Sequence, residues 1–411
     1  MVRYARARFT AIAVGQGDAF YLERGRHSAL IDGGRSVEGI ADRFRAATGR
    51  GSIEVLVCTH SDADHANGVL GILQSGIVCN EVWLPAIWGN QLEDILRDPA
   101  RSAEEVADNI SHLSPHLVEV MMGKESSPLT ALGDYLAEHN GEWEIEWEPS
   151  DMESSTDTHL LDESENMHPR NEPNSIFSDY FILEPGIYSN PIWYWLRHSP
   201  LPQEIAVKLF WEALAVSRTI RQIVTVAHEN GCTIRWFKYE RGRPASGGIP
   251  GFLVPVNARE VARLPVRRLP ISTRLLFSLA LSMINRESLV FLSEGTVKTP
   301  PVLFTADSNL DFGHAIPWRD GMIITTPHHG SEANKKVYIR HAVEGGGISA
   351  IWVRSDCRSR SRPGLSFLNL PRENRVCTLC RGATEPRQDV KLHVVKGRWQ
   401  KQSRIRSCSC I

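Results

Sequence analysis

The chain has 411 residues, a hydrophobic content of 42% and a charged content of 23%, which exclude a disordered or collagen-like protein. This length suits one large domain with insertions, or two domains. No segment approaches the roughly 20 apolar residues of a membrane span, and no cleavable apolar stretch follows the basic N-terminus, so we expect a cytoplasmic protein with no membrane partner. The eight cysteines fit a reducing compartment.

The charge is distributed unevenly, although the net charge is only −2. Residues 142–165 contain ten acidic residues and no lysine or arginine. Residues 354–411 contain fourteen Lys/Arg against four Asp/Glu, a net of +10. This basic segment is typical of a surface that binds a polyanion such as nucleic acid, but also of a solvated face or of a contact with the chain's own acidic segment.

The first ninety residues are predicted to be rich in strands, separated by glycine-containing turns. The predicted strands are 9–14, 19–23, 28–31 and 53–58. A helix is predicted over 37–48. The last of these strands leads into a tight polar loop, and a second helix is expected to begin at Asn67.

The middle of the chain is predicted to be a largely helical insertion covering about residues 90–200. Its polar, acidic stretch over 148–175 is expected to be a mobile loop. Apolar residues with the helical period of 3.6 then predict a long helix over 203–229, followed by a strand over 232–239.

The last third of the chain returns to strands. They are predicted at 288–292, 302–305, 322–325 and 350–353. We therefore predict one domain over residues 1–355, followed by a small basic, cysteine-containing lobe over 356–411 that includes a strand at 388–394.

Metal-binding side chains follow four of the predicted strands. One run, from His60 to His65, contains two histidines and two aspartates within six positions. Asp32, Asp307 and the pair His328-His329 follow three other strands. Groups of this kind repel or dehydrate one another when packed together unless a cation neutralises them. The pattern therefore predicts a pair of divalent metal ions.

These motifs resemble those of the metallo-β-lactamase fold, and most closely its ComEC/Rec2 (competence) branch in a stand-alone form that lacks the membrane channel. The matching segments, in the order of that family, are Val14–Asp18, Leu30–Gly34, Thr59–His65, Asn285–Val290, Leu303–Asp307 and Pro327–Ser331. The resemblance implies an α/β protein with a four-layer αββα sandwich.

The resemblance also implies how the two ions would be held. The implied metal ligands are His60, Asp62, Asp64, His65, Asp307 and His328. His60 and Asp62 would bind one ion, Asp64 and His65 would bind the other, and Asp307 would bridge both. His329 would be either a ligand or a proton donor, so the implied catalytic residues are Asp64, Asp307 and His329.

Three further residues are expected beside the ligands. Asp32 would orient a ligand histidine through a hydrogen bond. Asn285 and Ser288 lie beside the predicted sheet edge, where they would either contact substrate or cap the start of a strand.

The chain departs from the commoner pattern of the fold at two positions of these motifs. Asp62 stands where many members have histidine, and Ala306 stands where a glycine is usual. The intermediate histidine of many such enzymes has no clear counterpart, although His112, His116 and His139 are available. Because a carboxylate at Asp62 makes the site harder, Mn²⁺ competes with Zn²⁺ as the expected ion.

A pair of divalent ions about 3.5–4 Å apart is suited to phosphodiester hydrolysis, because it activates water and neutralises the phosphate oxygens. We therefore predict a metal-dependent hydrolase that acts on phosphodiesters, most simply a nuclease for DNA or RNA. The resemblance adds membership of a multi-protein antiviral system. The alternatives are an enzyme for another phosphoester, similar to phosphorylcholine esterases, and a non-catalytic subunit that binds protein partners.

The C-terminal segment carries a second metal-binding pattern. Cys377 and Cys380 form one close pair, and Cys408 and Cys410 form another, with 27 residues between the pairs. Four thiolates in two pairs are typical of a structural zinc site, while free thiols and a redox pair are the alternatives.

Overall fold

The computed structural model describes residues 7–89, 99–111, 113, 115–122, 190–262, 288–356, 362–380, 388–402 and 408–410. These residues form an αββα sandwich in which two β-sheets pack face to face and helices cover their outer faces. The α/β fold class predicted from the sequence is confirmed.

The larger sheet has nine strands in the order β15-β14-β1-β2-β3-β4-β5-β6-β8. These strands are β1 (Ala7–Ala11), β2 (Phe20–Arg24), β3 (His27–Ile31), β4 (Ser52–Val57), β5 (Val78–Pro85), β6 (Thr233–Tyr239), β8 (Ala258–Val261), β14 (Val390–Val395) and β15 (Arg398–Lys401). Strands β3 to β6 run parallel to one another.

The smaller sheet has six strands in the order β13-β12-β11-β10-β9-β7. These strands are β7 (Val254–Pro255), β9 (Phe291–Ser293), β10 (Val302–Phe304), β11 (Met322–Thr325), β12 (Ala350–Arg354) and β13 (Arg375–Cys377). Strands β10 to β13 are parallel, so their carboxyl ends lie at one edge of the sheet.

Eight α-helices occur among the described residues. They are α1 (Ile40–Thr48), α2 (Ala63–Gln74), α3 (Pro99–Ser111), α4 (Pro115–Met122), α5 (Asn190–Arg197), α6 (Gln203–Glu229), α7 (Lys335–Glu344) and α8 (Leu365–Leu368). Short 3₁₀ segments lie at Ala86–Trp88, Pro327–Gly330, Glu332–Asn334 and Arg372–Asn374. None of the described helices is long and apolar enough to cross a bilayer.

Strand alternation distributes the apolar residues between the layers. In β11, Ile323 points into the core between the two sheets, whereas Met322 and Ile324 pack under the helices on the outer face. In β3, Ile31 lies in the core between the sheets and Leu30 packs against α1, α2 and α6 on the other side. The near-continuous apolar runs in these strands therefore reflect burial on both faces.

The predicted elements agree with the structure where the apolar pattern is long or continuous. The helix over 203–229 and the strand over 322–325 have the predicted bounds. Helix α2 begins at Ala63, four residues before the predicted start. The predicted strand at 288–292 is displaced, because β9 begins only at Phe291.

The segment predicted as a C-terminal lobe supplies strands to both sheets. Strand β13 pairs with β12, while β14 pairs with β1 and carries β15 at the edge of the larger sheet. The pairing of β14 with β1 joins residues more than 370 positions apart, and the Ala13 amide also donates to Asp389 across this distance. Where the domain boundary falls within this arrangement stays a prediction.

Several predictions concern residues outside the described part of the chain. The mobile loop predicted over 148–175, the acidic segment 142–165, and residues Asn285, His112 and His139 all lie there. The described part of the predicted helical insertion over about 90–200 consists of α3, α4 and α5.

Candidate metal centre

The candidate centre lies where the carboxyl ends of parallel strands from the two sheets meet. Asp32 follows β3, and the His60 loop follows β4. From the smaller sheet, Asp307 follows β10 and His328-His329 follow β11. Residues distant in sequence converge at such an edge because parallel strands present all their carboxyl ends on the same side.

Helix α2 positions two of the predicted ligands. Asp62 is at the N-cap position, so Asp64 and His65 occupy the first turn of a helix rather than the tight loop expected from the sequence. The amide of His65 and the amide of Ala66 both donate to the Asp62 carbonyl. A carboxylate in the first turn is favourable because the helix dipole is positive there.

Asp32 anchors the ligand loop to the end of β3. One carboxylate oxygen accepts from the Thr59 amide at 2.8 Å, and the other accepts from the Thr59 hydroxyl at 2.7 Å. The second oxygen also lies 2.8 Å from His65 Nδ1. If His65 donates through Nδ1, its Nε2 lone pair is directed into the centre.

Asp307 is the carboxylate around which three of the predicted ligands gather. Its oxygens lie 3.3 Å from His65 Nε2, 3.6 Å from His328 Nε2 and 3.7 Å from His60 Nε2. The side chain is only 2% exposed. Asp62 is next to this group through His60, because its Oδ2 atom lies 3.9 Å from His60 Nε2.

His329 also lies close to His65, and their ring centroids are 5.2 Å apart. Its Nε2 is 3.2 Å from Asp64 Oδ2, while its Nδ1 is 3.1 Å from Asp18 Oδ1 and 3.2 Å from the Ser355 carbonyl. His329 is fully buried, whereas the side chain of His328 is 32% exposed. The two adjacent histidines therefore face different surroundings.

The turn that carries these histidines is strained. His328 and His329 have φ values of 43° and 55°, in the left-handed region that costs a non-glycine residue about 1 kcal/mol or more. The buried Arg354 side chain donates from Nε to the His329 carbonyl at 2.7 Å, and the His328 amide donates to the Ala306 carbonyl. These contacts from β12 and from the Asp307 loop stabilise the turn.

Five of the polar atoms that face this centre are buried and lack hydrogen-bond partners. They are Asp18 Oδ2, His60 Nε2, His65 Nε2, His329 Nε2 and Asp307 Oδ1. Buried polar atoms are almost always paired, so five such atoms at one place are expected to bind something else. Two sets of three ligands with donor atoms within 4.8 Å of one another occur here, Asp18-His65-His329 and His60-His65-Asp307. The residues therefore fit divalent metal ions.

The pKa values show how strongly these charges depend on one another. Burial alone would raise the pKa of Asp307, but the charges of His328 and His65 outweigh it and lower that pKa well below its usual value. Burial would lower the pKa of His329, but Asp18 raises it well above the ordinary value. Burial and the charge of His65 lower the pKa of His60 to about 4. Bound metal ions would replace the histidine protons, because a ligand histidine is neutral.

The remaining predicted residues lie elsewhere. Ser288 is fully buried, and its carbonyl accepts a hydrogen bond from the Asn257 side chain. The neighbouring Leu289 amide donates to the Thr59 carbonyl, so this segment supports the His60 loop from the smaller sheet. The four C-terminal cysteines form a separate cluster beyond β13.

Asp18 contributes to the centre but was not among the predicted site residues. It lies in the Val14–Asp18 motif, and its amide donates to the Asp64 carbonyl at 3.2 Å. Its side chain is 1% exposed, and burial raises its pKa although His329 opposes the change. Asp18 lies in the turn before β2 rather than directly after a strand, so the pattern that identified the other clusters did not include it, and the signal available was its place in the motif.

We expect Asp32→Asn to weaken metal binding by about 10- to 100-fold, the usual effect of removing a carboxylate that orients a ligand histidine. Asparagine tolerates the left-handed backbone at this position, where φ is 60°. Its NH₂ group, however, can accept neither from the Thr59 hydroxyl nor from His65 Nδ1, as the Asp32 carboxylate oxygen does. Competition with a chelator measures the affinity. The exposed Asp42 on α1 supplies the control variant Asp42→Asn, and equal affinities for the two variants would contradict the orienting role.

An αββα sandwich with a buried histidine–aspartate centre is the arrangement found in a class of metal-dependent hydrolases. Residues 12–166 match the profile of the Metallo-beta-lactamase superfamily, so this part of the chain is similar to that superfamily. No curated protein sequence gives a significant match.

Proposed function

We propose that this protein is a metal-dependent phosphodiesterase, and specifically a nuclease. The observation that carries the proposal is the convergence of buried, unpartnered ligand atoms on Asp307. The two ligand sets are adjacent and share His65, and two adjacent ions are the arrangement with which two-metal enzymes hold a phosphodiester. The harder carboxylate donors favour Mn²⁺ as well as Zn²⁺.

In this proposal the ligands divide into two sets that share Asp307. His60, Asp62 and His328 would hold one ion, and Asp64, His65 and His329 would hold the other. Asp18 extends the second set, because one of its oxygens contacts His329 and the other has no hydrogen-bond partner. When bound, the ions supply Lewis-acid chemistry: they neutralise phosphate oxygens and lower the pKa of water.

The surroundings of the two adjacent histidines fit each of them to a ligand role. His329 is suited to a ligand role, because Asp18 and the Ser355 carbonyl engage its Nδ1 and leave Nε2 facing Asp64. His328 is the more exposed of the pair, and its Nε2 lies 3.6 Å from Asp307. It is therefore the ligand best placed to meet a substrate.

The net charge of the basic segment supports a polyanionic substrate, and the first residues of the segment lie beside the candidate centre. The segment with a net charge of +10 begins at Arg354, which donates to the His329 carbonyl, and continues through Ser355, whose carbonyl accepts from His329. Arg362 follows, and the Gly364 amide donates to the Gly330 carbonyl beside the histidine turn. Arg354 is fully buried, and both Arg354 and Arg362 pair with Asp356, so the charge that would attract a nucleic acid must come from other basic residues of the segment.

The experiment is a panel of labelled single- and double-stranded DNA and RNA, incubated with the purified protein and Mn²⁺ or Zn²⁺. We expect metal-dependent cleavage by the wild type and none by Asp64→Ala/His65→Ala. The control variant Asp42→Ala should cleave as the wild type does, since the side chain of Asp42 on α1 is 87% exposed. Identical behaviour of the wild type and the double variant on every substrate would reject the nuclease proposal.

The same panel separates the alternatives. Cleavage of a phosphorylcholine ester but of no nucleic acid would indicate an enzyme for small phosphoesters. Metal binding without any hydrolysis would favour a non-catalytic subunit that binds protein partners, as in a multi-protein antiviral system.

A further inference from the structure

The structure brings the four C-terminal cysteines into one cluster. Cys377 ends β13 and Cys380 follows it, while Cys408 and Cys410 come from the end of the chain. All four sulfur atoms lie within 4.8 Å of one another. The Sγ atom of Cys410 is 3.3 Å from that of Cys380 and 3.9 Å from that of Cys377. A tetrahedron with Zn–S bonds of about 2.3 Å has sulfur–sulfur edges of about 3.8 Å.

The backbone of each pair is arranged to stabilise thiolates. The Cys380 amide donates to Cys377 Sγ at 3.1 Å, and the Cys410 amide donates to Cys408 Sγ at 3.5 Å. In both pairs, therefore, the first sulfur accepts from the amide of the second cysteine. Such hydrogen bonds favour the charged form of the sulfur and orient it toward a shared ion.

A buried cation lies beside the cluster. Arg354 is fully buried on β12, directly opposite Cys377 in the strand register, and its NH1 atom is 3.8 Å from Cys410 Sγ. Its NH2 atom donates to Asp356 at 2.9 Å. Positive charge beside cysteines favours thiolates, and four thiolates around Zn²⁺ carry a net charge of −2 that a neighbouring guanidinium offsets in part.

We propose that these four cysteines bind a structural zinc ion, which ties the end of the chain to β13 and fixes Arg354. Arg354 spans the distance between the cluster and the histidine turn, because it contacts Cys410 on one side and the His329 carbonyl on the other. The zinc ion therefore supports the strained turn that carries His328 and His329. This support for the turn rests on the proposed function, whereas the zinc site itself does not.

The first test is the zinc content of the full-length protein, measured by mass spectrometry after excess metal has been removed. We expect Cys377→Ser/Cys380→Ser to lose one zinc equivalent relative to the wild type. The control Cys79→Ser/Cys232→Ser replaces two buried free thiols outside the cluster and should retain that zinc. The variant Asp64→Ala/His65→Ala should also retain it, which separates this site from the candidate metal centre. Equal zinc content in the wild type and the Cys377/Cys380 variant would overturn the proposal.

X-ray absorption at the zinc edge provides a second test. It remains valid even if the cysteine variant does not fold. Measured on Asp64→Ala/His65→Ala protein, it should show four sulfur ligands at about 2.3 Å. Zinc with only nitrogen and oxygen ligands would overturn the proposal.

Hydrogen exchange tests the connection to the histidine turn. Loss of the zinc ion in Cys377→Ser/Cys380→Ser should raise the exchange rate of the amides in 327–331 severalfold, because Arg354 would lose its fixed position. Unchanged exchange in a variant that has lost the zinc ion would overturn the connection while leaving the zinc site in place.

Discussion

Replacing Asp307 with asparagine is expected to lower kcat for metal-dependent hydrolysis by about a thousandfold, on the order of 4 kcal/mol in transition-state stabilisation. Asparagine keeps the shape of the side chain but removes the charge that lies close to His60, His65 and His328. It also replaces one carboxylate oxygen with an NH₂ group that cannot bind a metal. Both ligand sets should therefore lose affinity together.

The measurements are kcat on the best substrate of the nuclease panel and metal affinity by chelator competition. Asp311→Asn is the matched control, since Asp311 lies four residues further along the same loop and pairs with Arg241 at the surface. We expect the control to bind metal and turn over as the wild type does. A loss below about tenfold for Asp307→Asn, with metal affinity unchanged, would contradict the central position of Asp307.

Gly68→Ala is expected to destabilise the fold by about 3 kcal/mol and to disrupt the candidate centre. A Cβ atom at residue 68 would lie 1.9 Å from the carbonyl oxygen of Gly33, so the backbones of α2 and of the loop after β3 must move apart. At a solvent-exposed position of a helix, replacing glycine with alanine would instead stabilise the protein by about 1 kcal/mol. A loss of stability on replacing Gly68 would therefore reveal its close contact with Gly33. The contact matters because this loop carries Asp32 and this helix carries His65.

Urea unfolding gives the free energy of unfolding, and chelator competition gives the metal affinity of the variant. Gly51→Ala is the matched control, because a Cβ atom there meets nothing within 4 Å. The control should differ from the wild type by less than about 0.5 kcal/mol, as surface substitutions usually do. A Gly68→Ala protein as stable as the wild type would show that α2 can shift without cost.

The order of strands and ligand clusters could be predicted because each of them depends on a short local pattern in the sequence. Strand β11, for example, is a short apolar run that ends directly before Pro327 and the two histidines. A buried strand followed by polar ligands identifies the position of a site at a sheet edge without knowledge of the partner strands. The helix over 203–229 was predictable for a similar reason, since its apolar residues keep one period over 27 residues.

The start of α2 could not be predicted, because the ligands themselves occupy the first turn of the helix. Asp64 and His65 are polar residues that break the apolar pattern on which the prediction depended, so the helix appeared to begin only at Asn67. In the structure the Asp62 carbonyl accepts from two amides. The helix therefore starts several residues before its apolar pattern does. Polar ligand residues in the first turn of a helix therefore hide the start of that helix from a prediction based on apolar periodicity.

The chain by itself determined which kinds of side chain follow each strand, and therefore that a histidine–aspartate centre and a pair of cysteine motifs exist. Only the tertiary structure decided how the members meet. His329 contacts Asp18 across 311 positions, and Cys380 contacts Cys410 across 30. The physical reason is that strand pairing and sheet packing, rather than local propensity, bring these backbones together. The same packing buries His329 while it leaves His328 partly exposed, a difference between adjacent identical residues that no local pattern could contain.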